Sequence, residues 1–276
     1  MLSNKVVVFD LDETLGYFLE LGKFWELLHK YFSLNIFNSV NIVKLTQQDF
    51  NDMFDLFPEF IRPNIYSLLN YLKYKKIKGL CNNVMLYTNN QGPRYWANLI
   101  IEYFHEKIHY HLFDQIIAAF KVNGKRMEMC RTTHEKTAQD FIHCTKLPKN
   151  IQICFLDDVF YPEMTGDNIY YIKINPYVHN ISFDVMIKRF VSSDLGKRLL
   201  NNDKKREEEF INYSNDFLKG FTYTYSEKSR EEYEIDKIVT KKTMLLLQDF
   251  FKKSWKEKTR KNNRKNNKQK TMKKKL

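Results

Sequence analysis

Five short apolar runs, separated by stretches of helix length, constrain the fold of this chain more than any other feature. They are Lys5 to Phe9, Val84 to Tyr87, Phe113 to Phe120, Ile151 to Leu156 and Tyr170 to Ile174. Runs this short, rich in β-branched and aromatic residues and without polar alternation, read as strands buried on both faces. Between them lie helical patterns: Ile65, Leu68, Leu69 and Leu72 behind Pro63, then Trp96 to Tyr103, then Glu135 to Cys144. Alternating strands and helices predict an α/β fold with a parallel sheet and helices on both faces.

Ligands of such sheets bind beyond the carboxyl ends of the strands. Asp10, Thr88 and the pair Asp157-Asp158 each follow or close one of the runs, so all fall on that edge. Phosphoryl transfer through a covalent intermediate needs a carboxylate nucleophile, a proton donor for the leaving oxygen and cationic cover for the phosphoryl charge. Asp10 can be the nucleophile and Asp12 the acid and base, while the Thr14 hydroxyl can steady the turn. Thr88 offers a hydroxyl and nearby backbone N–H groups to a phosphate oxygen, and Asn89 and Asn90 shape the turn within reach of substrate. Magnesium takes hard oxygen ligands and few from protein, so Asp10 with Asp158, and Asp157 beside it, would suffice. A lysine entering from a helix would offset the charge on Asp10 and the phosphoryl group. The bland alternative, a capped turn after a strand, fits Asp10 and Asp12 alone but not the whole ordered set.

The rest of the chain is less specific. Residues 16 to 62 read as an insert, with a short flap from Gly16 to Gly22 and helices around Phe24 to Phe32 and Gln47 to Phe57, the latter capped by Thr46. Residues 194 to 251 read as helices packed on the core. The net charge of +12 sits entirely in residues 252 to 276, because the remainder holds 32 basic and 32 acidic side chains. This tail has no periodic apolar face and is expected to be disordered, either a grip on nucleic acid or a solvated charge run. No stretch is long and apolar enough for a membrane span. Cys81, Cys130, Cys144 and Cys154 form no CxxC pair, so structural disulfides are not expected and a reducing compartment fits. His105, His109 and His111 fit a partly exposed helix and loop better than a zinc site, and Arg131 reads as exposed.

Asp10-Leu11-Asp12-Glu13-Thr14, Thr88, a lysine and Asp157-Asp158 together resemble the four ordered motifs of the haloacid dehalogenase superfamily. With Arg62-Pro63 about fifty residues on, the chain is similar to the branch of RNA polymerase II C-terminal-domain phosphatases and NLI-interacting-factor-like phosphatases. The resemblance covers residues 5 to 190, and the Lys/Asn-rich sequence resembles giant-virus members of the branch. It implies a haloacid-dehalogenase-like phosphatase domain over 1 to 193, ahead of the helical extension over 194 to 251 and the basic tail over 252 to 276. It also implies a magnesium-dependent phosphatase acting on phosphoserine or phosphothreonine proteins, with Asp10 phosphorylated and Asp12 as acid/base. Metal would be held by Asp10, the backbone carbonyl of Asp12 and Asp158. The lysine of the resemblance matches Lys136, 21 residues before Asp157, with Lys146 second and Lys121 or Lys125 third. A host cytoplasm, nucleus or virion would be its setting. Tyr87-Thr88-Asn89-Asn90, and Asp158 where the branch often has Asn, depart from its usual sequence. The basic tail gives two alternatives: a phosphatase of nucleotides or nucleic-acid ends, and a catalytically weak protein on the same scaffold that binds nucleic acid or a partner.

Overall fold

The structure, a computed structural model, describes residues 4–33, 44–221 and 225–253. Five parallel strands form the central sheet: β1 (Lys5–Phe9), β2 (Asn83–Tyr87), β3 (Phe113–Ile117), then β6 (Gln152–Asp157) and β7 (Ile169–Lys173). Their spatial order is β3-β2-β1-β6-β7, so the chain builds outward from β1 on one side and then crosses to the other. The switch falls between β1 and β6, where a doubly wound sheet opens a crevice at its carboxyl edge. Register puts Phe9 beside both Leu86 and Leu156, which brings Asp10, Tyr87 and Asp157 level on that edge. The fold is α/β and Rossmann-like.

Period-two alternation sends Val7, Phe9, Leu86, Cys154 and Leu156 to one face and Val6, Val8, Tyr87, Ile153 and Phe155 to the other. The two faces are unequally covered. On the first, a large core takes in α1 (Leu19–Ser33), α2 (Gln47–Asp55), α3 (Ile65–Ile77) and α4 (Arg94–Ile108). It continues through α6 (Phe183–Ser192), α7 (Asp194–Leu199), α8 (Lys204–Leu218) and α9 (Arg230–Lys252). The second face holds a smaller core closed by α5 (Ala138–Thr145) and Met164.

Local sequence explains several boundaries. Thr46 caps α2 as expected, with Asp49 completing a capping box, and the helix stops at Asp55. The hairpin of β4 (Lys121–Val122) and β5 (Lys125–Arg126) turns on Asn123 and Gly124, both at positive φ. Pro63 does not head α3; Asn64 takes a left-handed conformation first and the helix starts at Ile65. The stretch expected as a flap is a tight turn running into α1. Gly16 is required in it, because a Cβ there would stand 2.4 Å from the Phe60 carbonyl oxygen. The late helices are integral: Tyr31 of α1 meets the Phe210 ring of α8 at 5.0 Å. Lys5 of β1 also donates to the carbonyls of Phe250, Phe251 and Lys253 at the end of α9, where a cation complements the helix dipole.

Three expectations need correction. Cys130 and Cys144 form a disulfide, while Cys81 and Cys154 are free and buried. The sequence carried no spacing signal for it; the loop after β5 folds back onto the last turn of α5 and brings the two thiols together. Arg131 is not exposed but fully buried, and His105 is buried as well. No helix among the described residues is long and apolar enough to cross a membrane. Of the basic tail, residues 254–276 lie outside the described residues.

Candidate active site

Asp10 extends β1 by one residue, its N–H donating to the Leu156 carbonyl at 2.9 Å. The chain then turns sharply through Glu13, whose φ is +56°, and closes with the Glu13 N–H on the Gly16 carbonyl. Arg62 fixes this turn from beneath. Its Nε donates to the Thr14 carbonyl at 2.7 Å, and its Nη2 donates to the carbonyls of Glu13 and of Asn175. A buried guanidinium spread over three carbonyls is a rigid brace.

Lys136 is delivered by α5. Thr137 caps that helix by accepting the Asp140 N–H, so Lys136 stands just ahead of the helix and reaches back over the sheet edge. Its ammonium donates to Asp10 Oδ1 at 2.5 Å and to Asp157 Oδ2 at 2.7 Å. Burial disfavours this charge, but the Asp10 and Asp157 carboxylates outweigh burial and hold it above the usual lysine range. The other lysines weighed for the role lie elsewhere: Lys146 is exposed at the far end of α5, and Lys121 and Lys125 sit on the hairpin.

Asp12 is held by Asn90, whose Nδ2 donates to its Oδ2 at 2.7 Å. Burial, then the charge of Asp10, pushes the Asp12 carboxyl up to about 7. The same Asn90 shapes its own turn, with its N–H on Thr88 Oγ1 and its Oδ1 accepting from the Gly92 N–H. Thr88 is therefore at the edge, as expected. Asn89 instead donates to the Tyr161 hydroxyl at 3.2 Å. Thr14 donates to Asp158 Oδ1 at 3.3 Å, tying the first turn to the end of β6.

Arg131, expected to be exposed, is fully buried beside the site. Its Nη1 donates to the carbonyls of Thr88 and Ala118, and its Nη2 to those of His134 and Glu135. It thereby joins the end of β2 to the loop that carries Lys136, with its guanidinium 4.7 Å from the Tyr87 ring centre. No sequence signal marks it, because its four partners come from separate segments.

Oxygen atoms of Asp10, Asp157 and Asp158 lie within 4.8 Å of one another, a buried acidic cluster able to hold a metal ion. Asp12 offers no carboxylate to this cluster. Burial, with the charge of Asp10, also pushes Asp158 upward, as burial and then Asp158 push Glu13. Among the described residues, the carboxyls of Asp10, Asp12, Glu13, Asp157 and Asp158 outnumber the Lys136 ammonium and the Arg62 guanidinium, so the site is short of positive charge. An all-oxygen donor set suits a hard divalent cation. Comparison with family models, with curated proteins and with solved structures finds no match.

A second cluster, Glu102, His105 and His111, has a different character. His105 Nε2 accepts the Phe113 N–H at 3.0 Å, so the neutral ring carries its proton on Nδ1, 3.3 Å from Glu102 Oε1. Nε2 is thereby committed to the backbone, and this histidine braces the start of β3.

Proposed function

We propose that the chain is a magnesium-dependent phosphatase of the haloacid dehalogenase type that works through a phosphoryl group carried on Asp10. The observation that carries this reading is the Lys136 ammonium bridging Asp10 and Asp157 beside an Asp12 carboxyl poised near neutrality. Lys136 orients Asp10 Oδ1 and offsets charge that would otherwise build between carboxylate and phosphate. One oxygen of Asp10 attacks phosphorus, and the ester bond to the leaving oxygen breaks. Asp12, protonated through burial, gives its proton to that oxygen, and Asn90 keeps the carboxyl in place. Water then attacks the phosphorus of the aspartyl-phosphate, and the bond from phosphorus to the Asp10 oxygen breaks to return the carboxylate. Asp12, now a carboxylate, takes the proton from that water, and free phosphate leaves.

Magnesium would sit among Asp10, Asp158 and the backbone carbonyl of Asp12, and when bound it supplies charge neutralisation for the phosphoryl oxygens. Asp157 is committed to Lys136 and to the Val159 N–H, which makes it a support for the lysine. The Thr88 hydroxyl, which accepts the Asn90 N–H, has its own O–H to give to a phosphoryl oxygen. Magnesium-dependent hydrolysis of an aryl phosphate by the whole chain, lost in Asp10→Asn, tests the proposal. Full activity in that variant would end it.

A further inference from the structure

A cleft of about 590 Å³ opens beside Asp12. Of the catalytic groups above, Asp12 lines it, whereas Asp10, Thr88, Lys136 and Asp158 do not. On the phosphatase reading, on which this inference rests, Asp12 protonates the oxygen of the leaving group. The cleft beside Asp12 therefore receives what leaves, not the phosphoryl group that is transferred.

Its walls are aromatic: Tyr17, Trp25, Tyr95, Trp96 and Phe221. Trp25 and Trp96 each meet the Phe50 ring edge-on, with centroids at 5.2 and 5.6 Å, so their planes are fixed. Gly22 lets α1 pass close to Trp96, since a Cβ there would already stand 3.3 Å from the indole. Tyr95 is half exposed at the mouth.

Polar groups are interspersed among the rings. The Trp25 indole N–H is buried and has no hydrogen-bond partner among the described residues. Gln91, exposed at the cleft, adds an amide, and Lys23 pairs with Glu26 at 3.0 Å, whereas the Asn90 amide is taken up by Asp12 and the Gly92 N–H. Flat rings with donors and acceptors between them fit a heteroaromatic ring better than a plain phenyl group or an extended peptide. Among the described residues of the lining, the charged groups are Lys23, paired with Glu26, and the carboxyls of Glu13 and Asp12, a balance that favours a neutral ligand over a second phosphate.

We propose that the cleft binds the nucleoside of a nucleoside monophosphate, its base against the ring wall and its ester oxygen at Asp12. Asp10 attacks phosphorus, the bond from phosphorus to the sugar oxygen breaks, and the Asp12 proton passes to that oxygen to release the nucleoside.

The test compares AMP with the same ribose phosphate lacking its base, using the full chain and magnesium. The leaving oxygen and sugar are shared, so the ratio of kcat/KM reads the base alone. Stacking of a base on aromatic side chains predicts a ratio of about ten to a hundred. Tyr95→Ala should lower that ratio several-fold. Adenosine should quench the fluorescence of Trp25 and Trp96 in the Asp10→Asn protein, where binding is read without chemistry. Equal turnover of the two substrates with no quenching would overturn the cleft assignment and leave the phosphatase reading intact. Faster turnover of a phosphoserine peptide than of AMP would overturn it in favour of a peptide site. Quenching by adenosine without hydrolysis of any monoester would support the cleft while removing the phosphatase reading.

Discussion

Lys136 and Asp10 are 126 residues apart in sequence and 2.5 Å apart in space, and both are buried. Asp157 completes the bridge at 2.7 Å. Removing the ammonium would leave two buried carboxylates facing each other. Breaking a buried pair from one side costs about 3–5 kcal/mol. Lys136→Met is therefore expected to lower unfolding free energy in denaturant by about that amount, and kcat by about a hundredfold or more. Lys136→Arg should not restore turnover, because a planar fork cannot replace a compact point charge between two carboxylates. A Lys136→Met protein with unchanged stability would contradict the bridge.

The excess of carboxylates gives stability a pH dependence. Asp12 and Asp158 have folded-state pKa values raised by burial and by Asp10, so the folded chain holds their protons more tightly than the unfolded chain. That contribution is fully present below the ordinary carboxylate pKa and is lost as pH rises through the folded value, about 7 for Asp12. In chelator, the melting temperature should fall across this window. Magnesium should reduce the fall, and Asp158→Asn should weaken the magnesium effect. The difference between melting curves with chelator and with magnesium, followed against pH, is the measurement; no difference at any pH would sink the metal site.

Asp12→Asn removes the proton donor while leaving a side chain that still meets Asn90. Loss of general acid catalysis predicts a fall in kcat of about 10²–10⁴ for an alkyl phosphate and a smaller fall for an aryl phosphate, whose leaving oxygen needs less help. Wild-type turnover of the alkyl substrate should decline as pH rises through the Asp12 transition, and the variant should lack that limb. Pre-steady-state rates for the two substrate types check both points.

The loop that delivers Lys136 is tied down twice, by Arg131 and by the Cys130–Cys144 disulfide. Arg131→Lys replaces a buried fork that serves four carbonyls and should lower both stability and turnover. Reduction of the disulfide opens a loop of about fifteen residues, worth about 3 kcal/mol. Melting temperatures with and without reductant, compared with those of Cys130→Ser, read this directly.

The strands and the order of the site residues were legible because each depends on local pattern. A buried apolar run followed by an acidic residue is visible in five or six positions, and Lys136 stands next to a helix cap, Thr137, that sequence can suggest. Arg131 was not legible. Its partners at Thr88, Ala118, His134 and Glu135 meet only after the sheet has formed, and a lone arginine carries no mark of that. The Cys130–Cys144 pair and the burial of His105 were hidden for the same reason. Arg62 was visible as a residue near a proline, but its grip on the Glu13 and Thr14 carbonyls depends on a turn with a left-handed residue that sequence does not announce.

The central claim is that Asp10 carries the phosphoryl group, and an acid quench during turnover tests it most directly. With magnesium and a phosphate monoester labelled in its phosphoryl group, a peptide containing Asp10 should carry that group and lose it to hydroxylamine. The Asp10→Asn protein should carry none. Steady hydrolysis by the wild-type chain with the label absent from Asp10, or present on another residue, would contradict the account.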